Sequence, residues 1–187
     1  MRLTDDRILI GWNNEMHVFD SGMHDLFSFA CSGLNSPLIA GRRLFWAGLT
    51  GELCCVHLDT GQTERGVLNG LRISDAAFAY GNEIFFPSGG TVCALDADTF
   101  SLRTVTAIDP PDAGNPYPLF GTENRMYYRL QGTVCCMELD TGAVTELPDM
   151  QKVPCAAVRE YLLYVDPEPD GTDDITVFDR SGREVQP

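Results

Sequence analysis

The stretch that decides the fold is residues 41–61, GRRLFWAGLTGELCCVHLDTG. It holds two apolar runs, Leu44–Ala47 and Leu53–Leu58, which are separated by a Gly-Leu-Thr-Gly turn and closed by Asp-Thr-Gly. Two short apolar runs joined by a glycine turn are typical of a β-hairpin. Neither run alternates cleanly with polar residues, so both faces of this hairpin are expected to be buried.

The same unit recurs along the chain. An aspartate ends the second apolar run of each unit, and these aspartates follow one another at intervals of 37 to 44 residues. A hairpin that repeats with such a period indicates a repeat architecture. The five closing aspartates are Asp20, Asp59, Asp96, Asp140 and Asp179.

Each unit has room for two further strands, because a short apolar segment precedes each of the later hairpins and a more polar run follows the closing aspartate. Four strands in about 40 residues form the blade of a β-propeller. The sequence therefore predicts an all-β fold, a β-propeller of about five four-stranded blades in a single domain, with Met1–Thr4 as the innermost strand of the first blade. The predicted blades are residues 1–34, 35–72, 73–114, 115–152 and 153–187.

Two arrangements of these blades fit the pattern. They can close into a ring of their own, which predicts a monomer. They can also form an open arc of a larger propeller that a partner completes, since repeat units bury their faces only against neighbours.

In either arrangement the closing aspartate is expected to stabilise its turn, because its carboxylate accepts hydrogen bonds from backbone N–H groups two residues on.

The composition narrows the classes of partner. The 187 residues include 13 Lys and Arg against 27 Asp and Glu, which gives a net charge of −14. This acidic surface repels nucleic acid and anionic membranes, and it serves solubility. No apolar run approaches the roughly 20 residues that cross a bilayer, and the amino terminus does not resemble a signal peptide. Seven cysteines, an odd number with no CxxC spacing, argue against a disulfide framework. We therefore expect a cytoplasmic protein whose partner is another protein or a small ligand.

Three of the repeats resemble a known family. GELCCVHLDTG, GTVCALDADT and GTVCCMELDTG, which begin at Gly51, Gly90 and Gly132, are similar to the repeats of quinoprotein-dehydrogenase-like (pyrroloquinoline-quinone-type) β-propellers. Those repeats consist of Gly, a hydrophobic pair, Ala-Leu-Asp, two or three residues and Thr-Gly. The resemblance covers nearly the whole chain and implies the propeller fold.

The chain departs from that family where its enzymes dock neighbouring blades. In those enzymes a Trp follows Thr-Gly by a few residues, whereas Arg65 and Glu146 stand near that place here. Phe100 replaces the glycine of the third repeat, and five repeats are fewer than the eight blades of the quinoprotein enzymes. We therefore expect no pyrroloquinoline quinone and favour a non-enzymatic scaffold or binding module.

Two other functions stay open. The first is an enzyme, either a degenerate quinoprotein relative or a propeller hydrolase, for which Asp75 is the one acidic residue predicted near the start of an inner strand. The second is a lectin-like propeller that binds carbohydrate, although these repeats differ from one another more than lectin repeats do.

The cysteines indicate packing rather than chemistry. The pairs Cys54-Cys55 and Cys135-Cys136 lie on predicted strands, where adjacent side chains point to opposite faces and cannot chelate one ion. Free cysteine is among the most buried residue types. The three histidines, His17, His24 and His57, are expected to be structural or solvent-facing, with His24 in the polar strand after the first hairpin.

Residues 166–174, DPEPDGTDD, have the spacing of a calcium loop. Oxygen-bearing side chains at positions 1, 3, 5 and 9, with glycine at position 6, can converge on one hard cation. The stretch resembles the calcium-binding hairpin loops of integrin-type propeller blades. Two prolines stiffen it, and Val177 stands where a bidentate Glu would complete the site, so a solvated acidic hairpin is the alternative. The candidate calcium ligands are Asp166, Glu168, Asp170 and Asp174.

Overall fold

The computed structural model describes residues 2–3, 6–12, 15–31, 37–47, 52–65, 76–110, 119–167 and 173–185. Every regular element in these ranges is a β-strand, so the all-β prediction is confirmed. Within the same ranges, no helix is long and apolar enough to cross a membrane.

The strands form five sheets, and within each sheet neighbouring strands are consecutive in the chain. The first sheet contains β1 (Arg2–Leu3), β2 (Arg7–Trp12), β3 (Glu15–Asp20) and β4 (Asp25–Ala30). The second contains β5 (Leu38–Ala40), β6 (Arg43–Ala47), β7 (Leu53–His57) and β8 (Thr63–Arg65). The third contains β9 (Phe78–Tyr80), β10 (Glu83–Ser88), β11 (Thr91–Asp96) and β12 (Leu102–Ala107). The fourth contains β13 (Leu119–Thr122), β14 (Arg125–Leu130), β15 (Thr133–Glu138) and β16 (Val144–Glu146). The fifth contains β17 (Ala156–Val158), β18 (Tyr161–Pro167) and β19 (Asp173–Asp179).

The hairpin of residues 41–61 is confirmed. β6 and β7 pair antiparallel with Phe45 opposite Cys55. Leu53 to Val56 are all buried, as expected of a strand that is covered on both faces.

The fifth sheet differs from the prediction of four strands. Where the sequence predicts a fourth strand near its end, the structure has one isolated bridge between Phe178 and Glu184, and Val185 donates its backbone N–H to Val177. The outer strands of the second and fourth sheets, β8 and β16, are also short, with three residues each.

The chain divides into two compact units. The first comprises residues 1–75, 81–84 and 95–101, and the second comprises 76–80, 85–94 and 102–187. In the first unit a core joins the first two sheets. Its buried residues are Leu9, Met16, Val18, Phe29, Cys31, Leu44, Trp46, Cys54, Val56 and Leu58.

The second unit holds two cores, one on each face of the fourth sheet. The core that includes third-sheet residues consists of Phe85, Val92, Ala94, Ile108, Leu119, Met126, Tyr128 and Cys135. The core that includes fifth-sheet residues consists of Tyr127, Val134, Cys136, Leu147, Met150, Val153, Leu162, Tyr164 and Phe178. Adjacent residues of β14 thus serve opposite cores, because side chains alternate along a strand.

The turns after the third strands have two lengths. In the first and fifth sheets, the backbone N–H of Asp20 or Asp179 reaches the carbonyl four residues on. In the second, third and fourth sheets, the N–H of His57, Asp96 or Glu138 reaches the carbonyl five residues on. Asp20, His57, Asp96, Glu138 and Asp179 therefore occupy equivalent positions, at the start of the turn that follows the third strand of each sheet.

The alignment on five closing aspartates is wrong in the second and fourth units. Asp59 and Asp140 lie two residues inside the turn, and their equivalent in the third sheet is Asp98. The left-handed residue of the longer turn fixes this register, with φ of 70° at Gly61, 56° at Phe100 and 71° at Gly142. The Asp-Thr-Gly motif is thus anchored to the turn rather than to the end of the strand.

The predicted capping by aspartate is confirmed in three turns. Asp20, Asp96 and Asp179 each accept hydrogen bonds on Oδ1 from the backbone N–H two residues on, at 2.9, 3.1 and 2.8 Å. In the other two turns the threonine hydroxyl has this role. Thr60 accepts from the N–H of Gln62 at 3.3 Å, and Thr141 accepts from the N–H of Ala143 at 3.2 Å.

Candidate functional site

Two turns lie at the same end of each four-stranded sheet, because the first-to-second and third-to-fourth connections of a meander emerge on one side. In the second, third and fourth sheets a backbone hydrogen bond of 2.8 Å joins these two turns. A side-chain contact accompanies it in each sheet. These contacts are Arg42 Nε to Asp59 at 3.1 Å, Asn82 to Asp98 at 3.1 Å and Asn124 to Asp140 at 3.3 Å.

An ion-pair network extends this arrangement in the first unit. Arg42 binds both Asp59 and Asp6, and Arg7 binds the same two carboxylates at 3.2 and 3.0 Å. The hydrogen bonds from Arg42 hold the pKa of Asp59 below its ordinary value, and the two aspartates raise the pKa of Arg42. These four side chains link the first sheet to the second, and ion pairs near the surface contribute about 1 kcal/mol or less each to stability.

The cysteines pack, as predicted. Six of the seven free thiols are buried, and Cys155 is exposed. Burial raises the pKa of the thiols in both vicinal pairs, which keeps them protonated and unreactive. In the part of the chain that the structure describes, no group of three or more His, Cys, Asp or Glu side chains could hold a metal ion.

The histidines are held by neighbouring carboxylates and backbone groups. His17 Nδ1 lies 3.2 Å from Asp25, and His24 Nδ1 lies 3.0 Å from Asp20. His57 Nδ1 accepts the backbone N–H of Asp59 at 3.3 Å. His24 lies in the turn before β4 rather than within the strand, so that part of the prediction is wrong.

Two of the four predicted calcium ligands fall outside the described part of the chain. β18 and β19 remain paired as far as Asp166 opposite Asp174 and Pro167 opposite Asp173. Glu168 and Asp170 lie in the connection between these strands, outside the described residues, as does Asp75. Asp174 is exposed.

An apolar surface faces outward from the first sheet. Residues 9 and 18 of this sheet point into the core, so their neighbours along the strands point to the opposite side. On that side Ile8 lies opposite Phe19 and Ile10 lies opposite His17, all four partly buried, while Trp12 is 69% exposed. We call Ile8, Ile10, Trp12, His17 and Phe19 the first-sheet face.

A second outward surface belongs to the fifth sheet. Leu162, Tyr164 and Phe178 enter the core, and the alternate residues of the same strands point away from it. Ile175 is 62% exposed on that side. We call Tyr161, Leu163, Val165, Ile175 and Val177 the fifth-sheet face.

Sequence reasoning missed these two faces. β2 and β18 are as apolar as the inner strands, and nothing in their composition marks one face as uncovered.

Solved structures match this fold at low sequence identity. BamB from Moraxella catarrhalis matches with a TM-score of 0.55 and 15% identity over 97% of this chain and 60% of that chain. TolB from Acinetobacter baumannii matches with a TM-score of 0.52 and 15% identity over 90% of this chain and 47% of that one. The dihydro-heme d1 dehydrogenase NirN, in complex with DHE, matches with a TM-score of 0.55 and 18% identity over 97% of this chain and 42% of that one.

These neighbours are propeller proteins, and the chain has a β-propeller fold built from five small sheets. It spans between 42% and 60% of the length of the three matched chains. Neither a family of known proteins nor a curated protein matches the sequence.

Proposed function

We propose that this chain is a non-enzymatic binding module that recognises a protein through its first-sheet face. The exposed side chain of Trp12 carries the proposal. A large aromatic side chain that is exposed beside other apolar residues is the usual anchor of a protein interface. The rim is polar, with Glu15 and Asp25 placed around His17.

The rest of the chain supports a scaffold rather than an enzyme. The side chains of Asp6, Arg7, Arg42 and Asp59 pair with one another, and the buried thiols are protonated. The repeats that begin at Gly51, Gly90 and Gly132 favour descent from quinoprotein-type propellers without retention of their cofactor. The free thiols support a reducing compartment such as the cytoplasm.

Affinity purification with three forms of the protein tests the proposal. The forms are the wild type, Trp12→Ala, and the matched control Leu102→Ala, which removes another exposed apolar side chain from a different sheet. We expect the wild type and Leu102→Ala to retain a protein that Trp12→Ala loses. The retained protein should bind the purified wild type with at least tenfold higher affinity than it binds Trp12→Ala. Equal recovery of every bound protein by all three forms would contradict the proposal.

A further inference from the structure

We propose that the fourth and fifth sheets hold a binding site for a phosphate group, formed by the guanidinium groups of Arg125 and Arg180 together with the hydroxyl of Tyr127. These three residues belong to the second compact unit. The site shares no residue with the first-sheet face, so the inference goes beyond the proposed function and does not depend on it.

The hydroxyl of Tyr127 is the first observation behind the proposal. Tyr127 is 0% exposed and lies in the core that includes fifth-sheet residues. Within the described part of the chain, its Oη atom is buried without a hydrogen-bond partner. Buried polar side-chain atoms normally have a partner, so this one calls for an explanation. A tyrosine hydroxyl donates as well as accepts, and an oxygen atom of a ligand is a suitable acceptor.

Two arginines flank this hydroxyl. Arg125 precedes Tyr127 by two residues on β14, so both side chains point to the same face of the sheet. Arg180 follows β19 directly. Burial raises the pKa of Tyr127, whereas the nearby guanidinium groups of Arg180 and Arg125 act to lower it. Because guanidinium groups donate hydrogen bonds and cannot accept them, neither arginine can take the proton of the hydroxyl.

Both guanidinium groups keep hydrogen-bonding capacity for a ligand. Arg180 Nη2 donates to the carbonyl of Arg159 at 2.6 Å, and its contact with the Glu123 carboxylate is longer, at 3.4 Å. Arg125 Nη2 lies 3.7 Å from the Glu138 carboxylate. Charge-assisted N–H···O bonds are about 2.7–2.9 Å long, so neither carboxylate is tightly bound. A guanidinium group has five N–H donors, more than these contacts use.

The chemical class of the ligand follows from these donors. A phosphate group carries about 1.5 to 2 negative charges at neutral pH and has three strong acceptor oxygens. It can therefore accept hydrogen bonds from Arg125, Arg180 and Tyr127 at the same time, whereas a carboxylate has a single charge and two oxygens. The side chains of Glu123 and Glu138 are 69% and 44% exposed, so they can turn towards solvent when phosphate binds.

The second sheet has the same framework without the hydroxyl. By the pairing of the strands and the equivalence of the turns, Phe45 stands where Tyr127 stands in the fourth sheet. Its neighbour Arg43, the counterpart of Arg125, is paired with Glu64 at 3.1 Å. A sheet of this kind therefore packs with phenylalanine at this position, and Tyr127→Phe is expected to fold.

Broadening of the phosphorus NMR signal of inorganic phosphate by the purified protein tests the inference. We expect saturable binding by the wild type at millimolar phosphate, and at least tenfold weaker binding by Arg125→Gln and by Arg180→Gln. Tyr127→Phe should also weaken binding, because it removes one donor. The control Arg103→Gln removes one positive charge from an exposed position of the third sheet and should bind as the wild type does. Circular dichroism verifies the folding of each variant.

Two further probes define the bound group. Acetate, which offers a single carboxylate, should bind at least tenfold more weakly than phosphate. Methyl phosphate distinguishes the two sources of the group. A site for phosphate esters binds methyl phosphate as tightly as inorganic phosphate, and a site for the free ion excludes it.

Absence of saturable phosphate binding by the wild type would overturn the inference. Equal binding by the wild type and both arginine variants would also overturn it, as would acetate binding as tight as that of phosphate. Unchanged binding by Tyr127→Phe would remove the hydroxyl from the site. Trp12→Ala should bind phosphate as the wild type does, so the failure of this inference and the failure of the proposed function are distinguishable.

Discussion

The ring of Phe100 lies edge-on to the ring of Phe45, with 6.4 Å between their centroids and 77° between their planes. Phe100 holds this place from a left-handed backbone conformation, which is costly for a bulky residue. The guanidinium of Arg43 also lies over the Phe100 ring, 4.8 Å from its centroid. In the third turn, the left-handed position that glycine adopts most easily is therefore occupied by Phe100, whose aromatic side chain packs on the second sheet.

Phe100→Gly should therefore lower the free energy of unfolding although glycine fits the backbone better. We expect a loss of about 1–2 kcal/mol, because relief of strain offsets only part of the lost aromatic contact. Gln131→Gly is the matched control, since Gln131 has a φ of 51° and an exposed side chain. Urea unfolding should show a change of less than about 0.5 kcal/mol for the control. Equal effects of the two substitutions would contradict the role of the Phe100 contacts.

Gly121→Ala should destabilise the second unit. A Cβ atom at this position would overlap the ring of Phe78, which stacks on Phe85. We expect a loss of about 1–3 kcal/mol, typical of overpacking. Gly11→Ala is the control, because its Cβ would meet the nearest Met16 carbon at an ordinary 3.7 Å. The prediction fails if urea midpoints of the two variants coincide.

The stability of the third turn should depend on pH through Asp96. Its Oδ1 accepts hydrogen bonds from the N–H of Thr99 at 2.8 Å and from the Thr99 hydroxyl at 2.9 Å, and these bonds lower the pKa of the carboxyl. Because the pKa of Asp96 is lower in the folded state than in the unfolded state, the ionised carboxylate stabilises the folded protein at pH values above the pKa of the unfolded state. This stabilisation is lost as the pH falls below about 4.

Asp96→Asn keeps an oxygen acceptor but removes the charge. The variant should melt below the wild type at pH 6, and the two melting temperatures should converge as pH falls towards 3. Thermal unfolding followed by circular dichroism at several pH values measures this. A difference in melting temperature between the two proteins that is the same at every pH would show that the Asp96 charge contributes nothing to the stability of the turn.

The calcium hypothesis for Asp166, Glu168, Asp170 and Asp174 stays a prediction. If these side chains bind calcium, millimolar calcium should raise the melting temperature and Asp170→Ala should abolish the rise. Binding stabilises the folded state by about 2.7 kcal/mol at a hundred times the dissociation constant. Asp149→Ala, in an exposed turn, is the control and should keep the calcium response. Indifference of the wild type to calcium and to chelator would make the loop a solvated acidic turn.

The sheet order could be predicted because its signals are local. Glycine turns and apolar runs lie within ten residues of the strands that they define, as in Arg43–Ala47 and Leu53–His57. The register of Asp59 and Asp140 could not be predicted, because it depends on turn length. In the longer turns the aspartate of Asp-Thr-Gly lies two residues beyond His57 or Glu138, whereas in the shorter turns Asp20 and Asp179 themselves occupy the position of His57 and Glu138.

The outward faces could not be predicted for a different reason. Exposure depends on what lies beside a sheet, whereas the composition of a strand depends on what it has to pack against. Ile8 and Ile10 are as apolar as Leu9, and only the folded structure shows that Leu9 enters the core that joins the first two sheets whereas Ile8 and Ile10 lie on the other side of the sheet.

The short outer strands β8 and β16 have a consequence for aggregation. Each offers three residues of exposed or partly exposed edge, Thr63–Arg65 and Val144–Glu146, with charged side chains among them. Such edges are poor templates for an added strand, which is how amyloid fibrils elongate. The second and fourth sheets are therefore protected from the addition of a strand of another molecule to β8 or β16.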